Sequence, residues 1–431
     1  QNMTIAYTKK HVCSYMDIIL TSKIENPVLI DKYLMGKELE VDVISDGRDV
    51  LIPGVMEHIE RAGVHSGDSI AVYPQFNISD KLLSEVTGCA TKLALSLGTK
   101  GIVNIQFLIF QNELYVIEVN PRASRTVPYI SKVTGVPMVE LAARVMLGEK
   151  LKSLGYGTGL YKQSPYVAVK VPVFSFEKLD DVNSSLSPEM KSTGEVLGIG
   201  KTLEEALYKG LVSAGYKIQA ALPDKQSGVL ISVSDVDKYE IVSLAKKFDD
   251  LGFKIYATTG TAREISSIGI DVETVGKLRD SGKLLSLLES GRINYIIYTA
   301  ENEKSCVDDF IMLHSRALQL SIACLTSLDT ASALVDIIAS RYNQSNTELV
   351  DLNHMRSERL KLRFSKMEGS GNDYIYFENF NGEITCPESL SIALSDRNRG
   401  IGGDGIVLIE DSKIADKKMR IFNKDGSEGK M

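Results

Sequence analysis

Cysteine is scarce and scattered in this chain of 431 residues: five in all, at 13, 89, 306, 324 and 386, with no two at CxxC spacing. That leaves neither a zinc motif nor a disulfide framework, and a reducing, cytoplasmic setting fits. No apolar run approaches the roughly 18 residues of a membrane span. The opening QNMTIAYTKK has no apolar signal core and does not begin with Met. Cationic excess is also missing. The net charge is −7, which disfavours nucleic acid and acidic membrane as partners. What remains, 44% apolar and 24% charged residues, is the composition of an ordinary globular protein, and the length predicts two to four domains.

The most informative stretch is QFLIFQNELYVIEVNPRASR, Gln106 to Arg125. Two β-rich apolar segments flank a polar Gln111-Asn112 turn, which predicts an antiparallel hairpin. Strand alternation puts Leu114, Val116, Glu118 and Asn120 on one face. Folding back brings Gln106 to within about one register place of Glu118. One carboxylate and two amide oxygens then converge, hard ligands suited to Mg²⁺ or Mn²⁺ holding nucleotide phosphates. Arg122 and Arg125 follow and are placed to clamp an anionic acceptor or a transferring phosphoryl group. The plainer alternative is a hairpin ending in a solvated polar turn.

Upstream, DKYLMGKELEVDVISDG (31–47) and VMEHIERAGVHSGDS (55–69) join IEVNPRASRTVP and SPEMKSTGEVLGIGKTLEEAL (187–207). Together they resemble the ATP-grasp part of the carbamoyl-phosphate synthase large chain, in its second synthetase half. That resemblance implies ATP-dependent phosphorylation of carbamate. It implies a chain opening inside the ATP-grasp module, without the pre-ATP subdomain and part of the nucleotide lid, and therefore weak or absent turnover alone. Bicarbonate, ammonia, a glutaminase small subunit and an oligomer belong to the same implied setting.

Four regions follow. Residues 1–155 carry the ATP-grasp remainder, with helical periodicity at 80–97 and 139–148, Gly148 being the stop. Residues 156–222 form the end of that region and a connector. Residues 226–345 alternate strands and helices, which predicts a small doubly wound parallel sheet. They resemble the methylglyoxal-synthase-like regulatory domain that closes the same large chain and binds nucleotide effectors or ornithine. A polar linker at 346–358 precedes LRFSKMEGSGNDYIYFE, LSDRNRGIGGDGIVLIE and MRIFNKDGSEGKM. These resemble the opening of diaminopimelate epimerase, a cofactor-free enzyme with two catalytic cysteines. The expected fold is thus α/β and multidomain: a partial α+β ATP-grasp, a doubly wound methylglyoxal-synthase-like domain, and an incomplete α+β epimerase lobe at 359–431.

Residue roles follow from resemblance. Lys32 and Leu34 sit beside adenine. Glu38 accepts ribose hydroxyls, its alternative being a solvated strand-edge carboxylate. Gly63, Val64, His65 and Ser66 border the nucleotide, the glycine allowing close backbone approach. Gln106, Glu118 and Asn120 hold metal; Arg122 and Arg125 hold carbamate or the equatorial oxygens. In the third region Thr258 and Thr261 lie between strand and helix, where backbone N–H groups gather an anion, and Lys238 and Lys277 supply counter-charge. An ordinary threonine helix cap is the alternative. Tyr298 and Ala300 depart from the family's Asn and Thr there, which leaves the effector open. Asn372 and Asn423 match positions holding an amino acid end. The glycines at 400–405 lack βαβ context for a dinucleotide fingerprint, and Cys386, in a loop-like stretch, is a poor base. Two other functions stand beside the ligase: an epimerase, or a non-catalytic effector-binding module.

Overall fold

A computed structural model describes all residues except 1–2, 7, 22–26, 176–184, 223–226, 277–282, 300–303, 353–361, 381, 383, 385–386, 413 and 430–431, and except the side chains at 283 and 304–309. It divides into two compact units, 1–356 and 357–431.

The first unit begins with helix α1 (Lys9–Thr21) and then builds a sheet. Its strands are β1 (Lys37–Asp46), β2 (Val50–Ile52), β3 (Val55–Arg61) and β4 (Ala71–Tyr73), then, after helix α2 (Asp80–Ser96), β5 (Lys100–Phe110) and β6 (Glu113–Asn120). Helices α3 (Val127–Thr134) and α4 (Met138–Met146) follow, then β7 (Gly159–Leu160), β8 (Val167–Val173), β9 (Gly194–Gly200) and α5 (Leu203–Ser213). The strand order is β6-β5-β1-β3-β4-β8-β9, with β2 also paired to β1 and β7 paired in turn to β2. Residues 156–222, expected to end the region and connect onward, supply three strands of this same sheet.

Strand β1 lies between β5 and β3 and is buried on both faces. Its odd residues Leu39, Val41 and Val43 pack with Val103, Ile105 and Phe107 and with Val86, Ala90 and Ala94 of α2. Its even residues Glu38, Glu40 and Asp42 therefore share the opposite face, and all three are buried. Glu38 as a solvated strand-edge group is ruled out, because β1 is an interior strand. Helix α2 starts where Ser79 Oγ accepts from the Leu82 N–H at 3.3 Å, an N-cap that satisfies a free amide of the first turn.

The hairpin of β5 and β6 forms as expected, with Gln111 and Asn112 at φ of 51° and 62°, the left-handed pair that a two-residue hairpin turn requires. Gln106 stands directly opposite Glu118, and Asn104 opposite Asn120. Strict alternation fails within β6, however. The register shifts between Gln106 and Phe107, whose partners are Glu118 and Val116, so Ile117 is an extra bulged residue. The bulge reverses the phase. Leu114 and Val119 both pack toward α2, while Glu118 and Asn120 turn to the other side. The expected single face of Leu114, Val116, Glu118 and Asn120 is corrected accordingly.

The second sheet holds β10 (Gly228–Ser232), β11 (Lys254–Thr258), β12 (Val272–Val275), β13 (Ile293–Tyr298) and β14 (Ala323–Leu325), with helices α6 (Lys238–Asp250), α7 (Thr259–Ser266), α8 (Lys283–Glu289), α9 (Lys304–Gln319) and α10 (Leu328–Ser340) between them. Its order β12-β11-β10-β13-β14 is parallel throughout. This is the doubly wound arrangement the alternating pattern predicts. It is not a separate globule: Val169, Val171 and Leu211 of the first sheet's layer share one core with Val229, Ile231, Ile241, Phe248 and Leu334. Arg61 at the end of β3 adds polar contacts, giving two bonds to Glu240 at 2.8 Å and bonds of 2.7 and 2.9 Å to Asp329 in the first turn of α10.

The second unit pairs β15 (Phe364–Gly369) with β16 (Asn372–Glu378), runs through α11 (Pro387–Ser395), and closes with β17 (Gly405–Glu410) and β18 (Lys418–Asn423). Ile375, Phe377, Ile406, Leu408 and Phe422 form its core.

Two glycines separate packing from propensity. A Cβ on Gly88, within α2, would meet nothing within 4 Å, whereas one on Gly198 in β9 would collide with the Ala206 carbonyl of α5. Gly88→Ala should stabilise by up to about 1 kcal/mol, and Gly198→Ala should destabilise by roughly 1–3 kcal/mol. Urea denaturation followed by far-ultraviolet circular dichroism measures both.

Candidate functional site

The acidic face of β1 determines the site. A carboxylate out of water needs hydrogen-bond donors or a cation, and here each has them. Asp42 accepts from Ser124 Oγ at 2.7 Å, from Thr126 Oγ1 at 2.7 Å and from Asn104 Nδ2 at 3.0 Å. Glu40 accepts from the same Asn104 amide at 2.8 Å and from Thr126 Oγ1 at 3.1 Å. His58, on neighbouring β3, places Nδ1 3.4 Å from Glu38 and Nε2 3.5 Å from Glu40. Those are ion-pair distances rather than well-aligned hydrogen bonds.

Protonation follows from this crowding. Burial raises the Asp42 carboxyl, the Glu40 charge raises it further, and its three donors only partly offset that, leaving it at about 6. Burial alone would lower His58, but the flanking Glu38 and Glu40 outweigh it and hold the imidazolium to about 9. Glu40 is disfavoured as an anion by burial, yet His58 and Lys170 bring it below the usual carboxylate range.

Above this layer lies a cleft of about 250 Å³, lined among others by His65, Ser66, Gln106, Glu118, Arg122, Arg125 and Lys170. Gln106 Nε2 donates to Ser66 Oγ at 3.2 Å, tying the hairpin to the 63–66 loop. Asn120 Nδ2 donates to Glu118 Oε1 at 2.8 Å. His65 Nδ1 accepts from the Gly67 N–H at 3.0 Å, and burial keeps this imidazole below the usual histidine range. The neutral ring then carries its proton on Nε2, leaving that edge as a donor. The loop bearing both arginines is anchored through Ser124 and Thr126 to Asp42. Arg125 Nη1 reaches Met190 Sδ at 3.0 Å and Ser192 Oγ at 3.3 Å, and Arg122 Nη1 donates to the Ala123 carbonyl at 3.1 Å. Neither arginine has a carboxylate partner among the described residues, so both are available to an anion.

Six of the expected residues thus line one cleft: His65, Ser66, Gln106, Glu118, Arg122 and Arg125. Asn120 touches Glu118 but does not line it. Lys32 is exposed and Leu34 half-buried in the segment before β1, outside the lining. Glu38 sits behind it, paired with His58. Gly63, at φ +111°, is approached by its own chain: a Cβ there would meet Ile5 at 2.8 Å and the Tyr33 hydroxyl at 2.9 Å; neither it nor Val64 lines the cleft. Glu40, Asp42, His58, Asn104, Ser124, Thr126 and Lys170 went unnoticed in the sequence. The run ELEVDV held a clue, since acids alternating with apolar residues on a strand mark a second, polar buried face.

For Mg²⁺ or Mn²⁺, the donors are one carboxylate and neutral amides. No cluster of three His, Cys, Asp or Glu suited to a metal occurs among the described residues. Such an oxygen set fits a hard cation that takes further ligands from a polyphosphate.

In the second sheet, Thr258 is the N-cap residue of α7 but makes no side-chain capping bond. Its hydroxyl instead lies within hydrogen-bond distance of Ser232 Oγ at 3.2 Å and Thr261 Oγ1 at 3.4 Å, with one proton to give to either, so the threonine-cap alternative does not describe it. A Cβ on Gly260 would meet Lys238 Nζ at 3.0 Å, which puts that ammonium over the start of α7. Lys277, Ala300 and Cys386 lie outside the described residues. Tyr298 stacks on Phe310 with ring centroids 4.8 Å apart. A further cavity of about 260 Å³ is lined by Glu60, Asp68, His314, Thr326 and Thr330, among others. In the second unit, Asn423 Nδ2 donates to Ser427 Oγ at 3.0 Å, and Asn372 pairs with Gly369 at the hairpin end.

A polar, cation-lined cleft on a mixed sheet, a doubly wound module and a small α+β unit define a multidomain α/β chain. Residues 2–154 match the family described as carbamoyl-phosphate synthase L chain, ATP binding domain; 240–326 match the MGS-like domain; 364–431 match diaminopimelate epimerase. The carbamoyl phosphate synthase large chain of Clostridium perfringens is 50% identical over 353 residues, 82% of this chain and 33% of that protein. That of Lachnoclostridium phytofermentans is 49% identical over 334 residues, 77% of this chain and 31% of that protein. A biotin carboxylase from Campylobacter jejuni is 20% identical with a TM-score of 0.33, covering 42% of this chain and 38% of that one. Over about four-fifths of its length the chain is similar to carbamoyl-phosphate synthase large chains, and residues 364–431 match the diaminopimelate epimerase family. The chain spans about a third of the length of those large chains. No helix among the described residues is long and apolar enough to cross a membrane.

The buried layer predicts a pH signature. Because the folded value of His58 is raised, its contribution to stability is complete below about 6.5 and is lost as pH rises through about 9. Melting temperature should fall between pH 7 and 9 in the wild type. His58→Gln should start lower and stay nearly flat over that window; an unchanged slope in the variant would sink this assignment.

Proposed function

We propose that this chain carries the nucleotide and acceptor site of an ATP-dependent ligase that transfers the terminal phosphoryl group of ATP to carbamate. The observation that carries the reading is one cleft combining Gln106 and Glu118, His65 and Ser66, and the guanidinium groups of Arg122 and Arg125, which have no carboxylate partner among the described residues. Lys32 and Leu34 take the adenine side and Glu38 the ribose side. Gly63 and Val64 set the loop, and Gln106, Glu118 and Asn120 hold Mg²⁺ or Mn²⁺. The metal, when bound, neutralises polyphosphate charge. The remaining work falls to the chain. The His65 Nε2–H donates to a phosphate oxygen, and the two arginines orient the acceptor carboxylate and spread the charge of the equatorial oxygens. A carbamate oxygen bonds to the γ-phosphorus as the bond to the β-bridging oxygen breaks, giving carbamoyl phosphate and ADP. A glutaminase subunit supplying ammonia, bicarbonate as the carbon source, a cytoplasmic setting and an oligomer complete the proposal.

A regulatory reading accompanies it. Lys238, Thr258 and Thr261 gather beside the carboxyl ends of β10 and β11, where an open parallel sheet takes anionic ligands. A nucleotide effector is the anionic ligand proposed for that position. The buried carboxylates Glu60 and Asp68, which line the second cavity, favour a cationic effector such as ornithine. For the second unit, Asn372 and Asn423 are the residues proposed to hold an amino acid end in an epimerase-type site.

In a complete large chain, Glu118→Gln should lower formation of ATP from carbamoyl phosphate and Mg·ADP by at least about tenfold more than His65→Asn, since it removes the only carboxylate of the metal set. Phosphorus NMR of the mixture measures both rates. Equal losses would overturn the metal assignment.

A further inference from the structure

Lys170 is the cleft residue for which neither the proposed reaction nor the sequence reading has a use. It lies in the middle of β8 and is 1% exposed, yet it lines the cleft. Its ammonium donates to the Ser66 carbonyl at 2.8 Å, the one hydrogen bond it makes among the described residues. A lysine ammonium has three donors, and taking it out of water is costly unless those donors are used. The acids whose charges act on it are Glu40, Glu195, Glu60 and Asp68. None of them forms an ion pair with it. Glu40 Oε1 accepts from Asn104 and Thr126, and its Oε2 faces His58 Nε2 at 3.5 Å without a hydrogen bond to Lys170. Asp68 accepts from the N–H groups of Lys191 and Ser192 at 2.7 and 2.8 Å, and Glu60 from Thr330 and the Ile70 N–H, both at 2.7 Å. Glu195 is exposed on β9. Burial draws the ammonium below the usual lysine range despite these charges, which is the signature of a cation short of close partners.

The strand fixes this geometry. Lys170 pairs with Ala71 of β4 and Leu197 of β9, and the neighbouring residues Val169 and Val171 point into the shared core. Alternation then directs Lys170 to the polar side, and its bond to Ser66 holds the amine against the loop that also carries His65. Arg122 and Arg125 stand across the same cleft. Three cations around one small cavity, one of them fully buried with donors to spare, describe a receptacle for an oxyanion.

We propose that Lys170 is a third oxyanion-binding residue of the cleft, its free N–H donors holding an oxygen of a small phosphoryl or carboxylate group between the 63–66 loop and the arginine loop. The inference rests on the cleft being an anion site and deepens the ligase reading without depending on turnover. Two sources share this chemistry: the terminal phosphoryl group of the nucleotide and the carboxylate-like end of the acceptor.

The test is calorimetric titration of the full chain with Mg·ATP, Mg·ADP, carbamoyl phosphate and inorganic phosphate. It compares wild type with Lys170→Met, which keeps the stem and removes the charge, and with Lys170→Arg, which restores a donor. Lys170→Gln replaces the methionine variant if that chain melts early. We expect at least a tenfold loss of affinity for one or more of these anions without the charge, and recovery to within about threefold in the arginine variant. A loss for Mg·ATP with Mg·ADP unchanged assigns the terminal phosphoryl group. A loss for carbamoyl phosphate with both nucleotides unchanged assigns the acceptor end. Constants all within twofold of wild type overturn the proposal. A wild type that binds phosphate in a Lys170-dependent way but takes no Mg·nucleotide defeats the ligase reading and leaves this one standing. A wild type that binds none of the four defeats both.

Discussion

Three carboxylates on the polar face of β1 cannot be left alone in a buried layer, and much of the cleft is the consequence of providing for them. An uncompensated carboxylate in such a place would cost several kcal/mol. Glu38 and Glu40 are met by His58 from β3. Asp42 is met by Asn104 from β5 and by Ser124 and Thr126 from the loop after β6. The last two bonds have a functional result, because the residues on either side of Ser124 include Arg122 and Arg125. The anion clamp is therefore held in place from beneath, by a group that never reaches the surface. Catalytic groups need such support, since exposed arginine side chains alone would sample many rotamers.

The same sheet ties the cleft to the doubly wound module. Strand β3 ends at Glu60 and Arg61, and both engage the first turn of α10, through Thr330 and Asp329. The 63–66 loop begins two residues later. Arg61 is partly exposed, so its ion pairs fix register more than they add stability; the shared apolar core does the latter.

Much of this architecture was legible in the sequence. The helix expected over 80–97 occupies Asp80–Ser96, and Gly148, expected to stop the helix before it, has φ +104°. The parallel sheet follows from strands and helices in strict alternation. In the cleft, the hairpin turn at Gln111-Asn112 and the opposition of Gln106 to Glu118 needed only local rules. The bulge at Ile117 did not announce itself, because an extra residue leaves composition and spacing unchanged while inverting the face. Region 156–222 was also opaque. Its strands are separated by long irregular segments, and nothing local shows that β8 inserts beside β4.

The sequence by itself determined the families, the order of the modules, most elements and the residue types able to hold phosphate and metal, because these depend on short-range pattern and on motifs read in line. Only the tertiary structure decided which polar residues meet. Lys170 and Ser66 are 104 positions apart, and Thr126 and Asp42 are 84. Such pairings come from sheet order and from burial that leaves each charged group no choice of partner, and neither is written in the neighbourhood of the residues concerned.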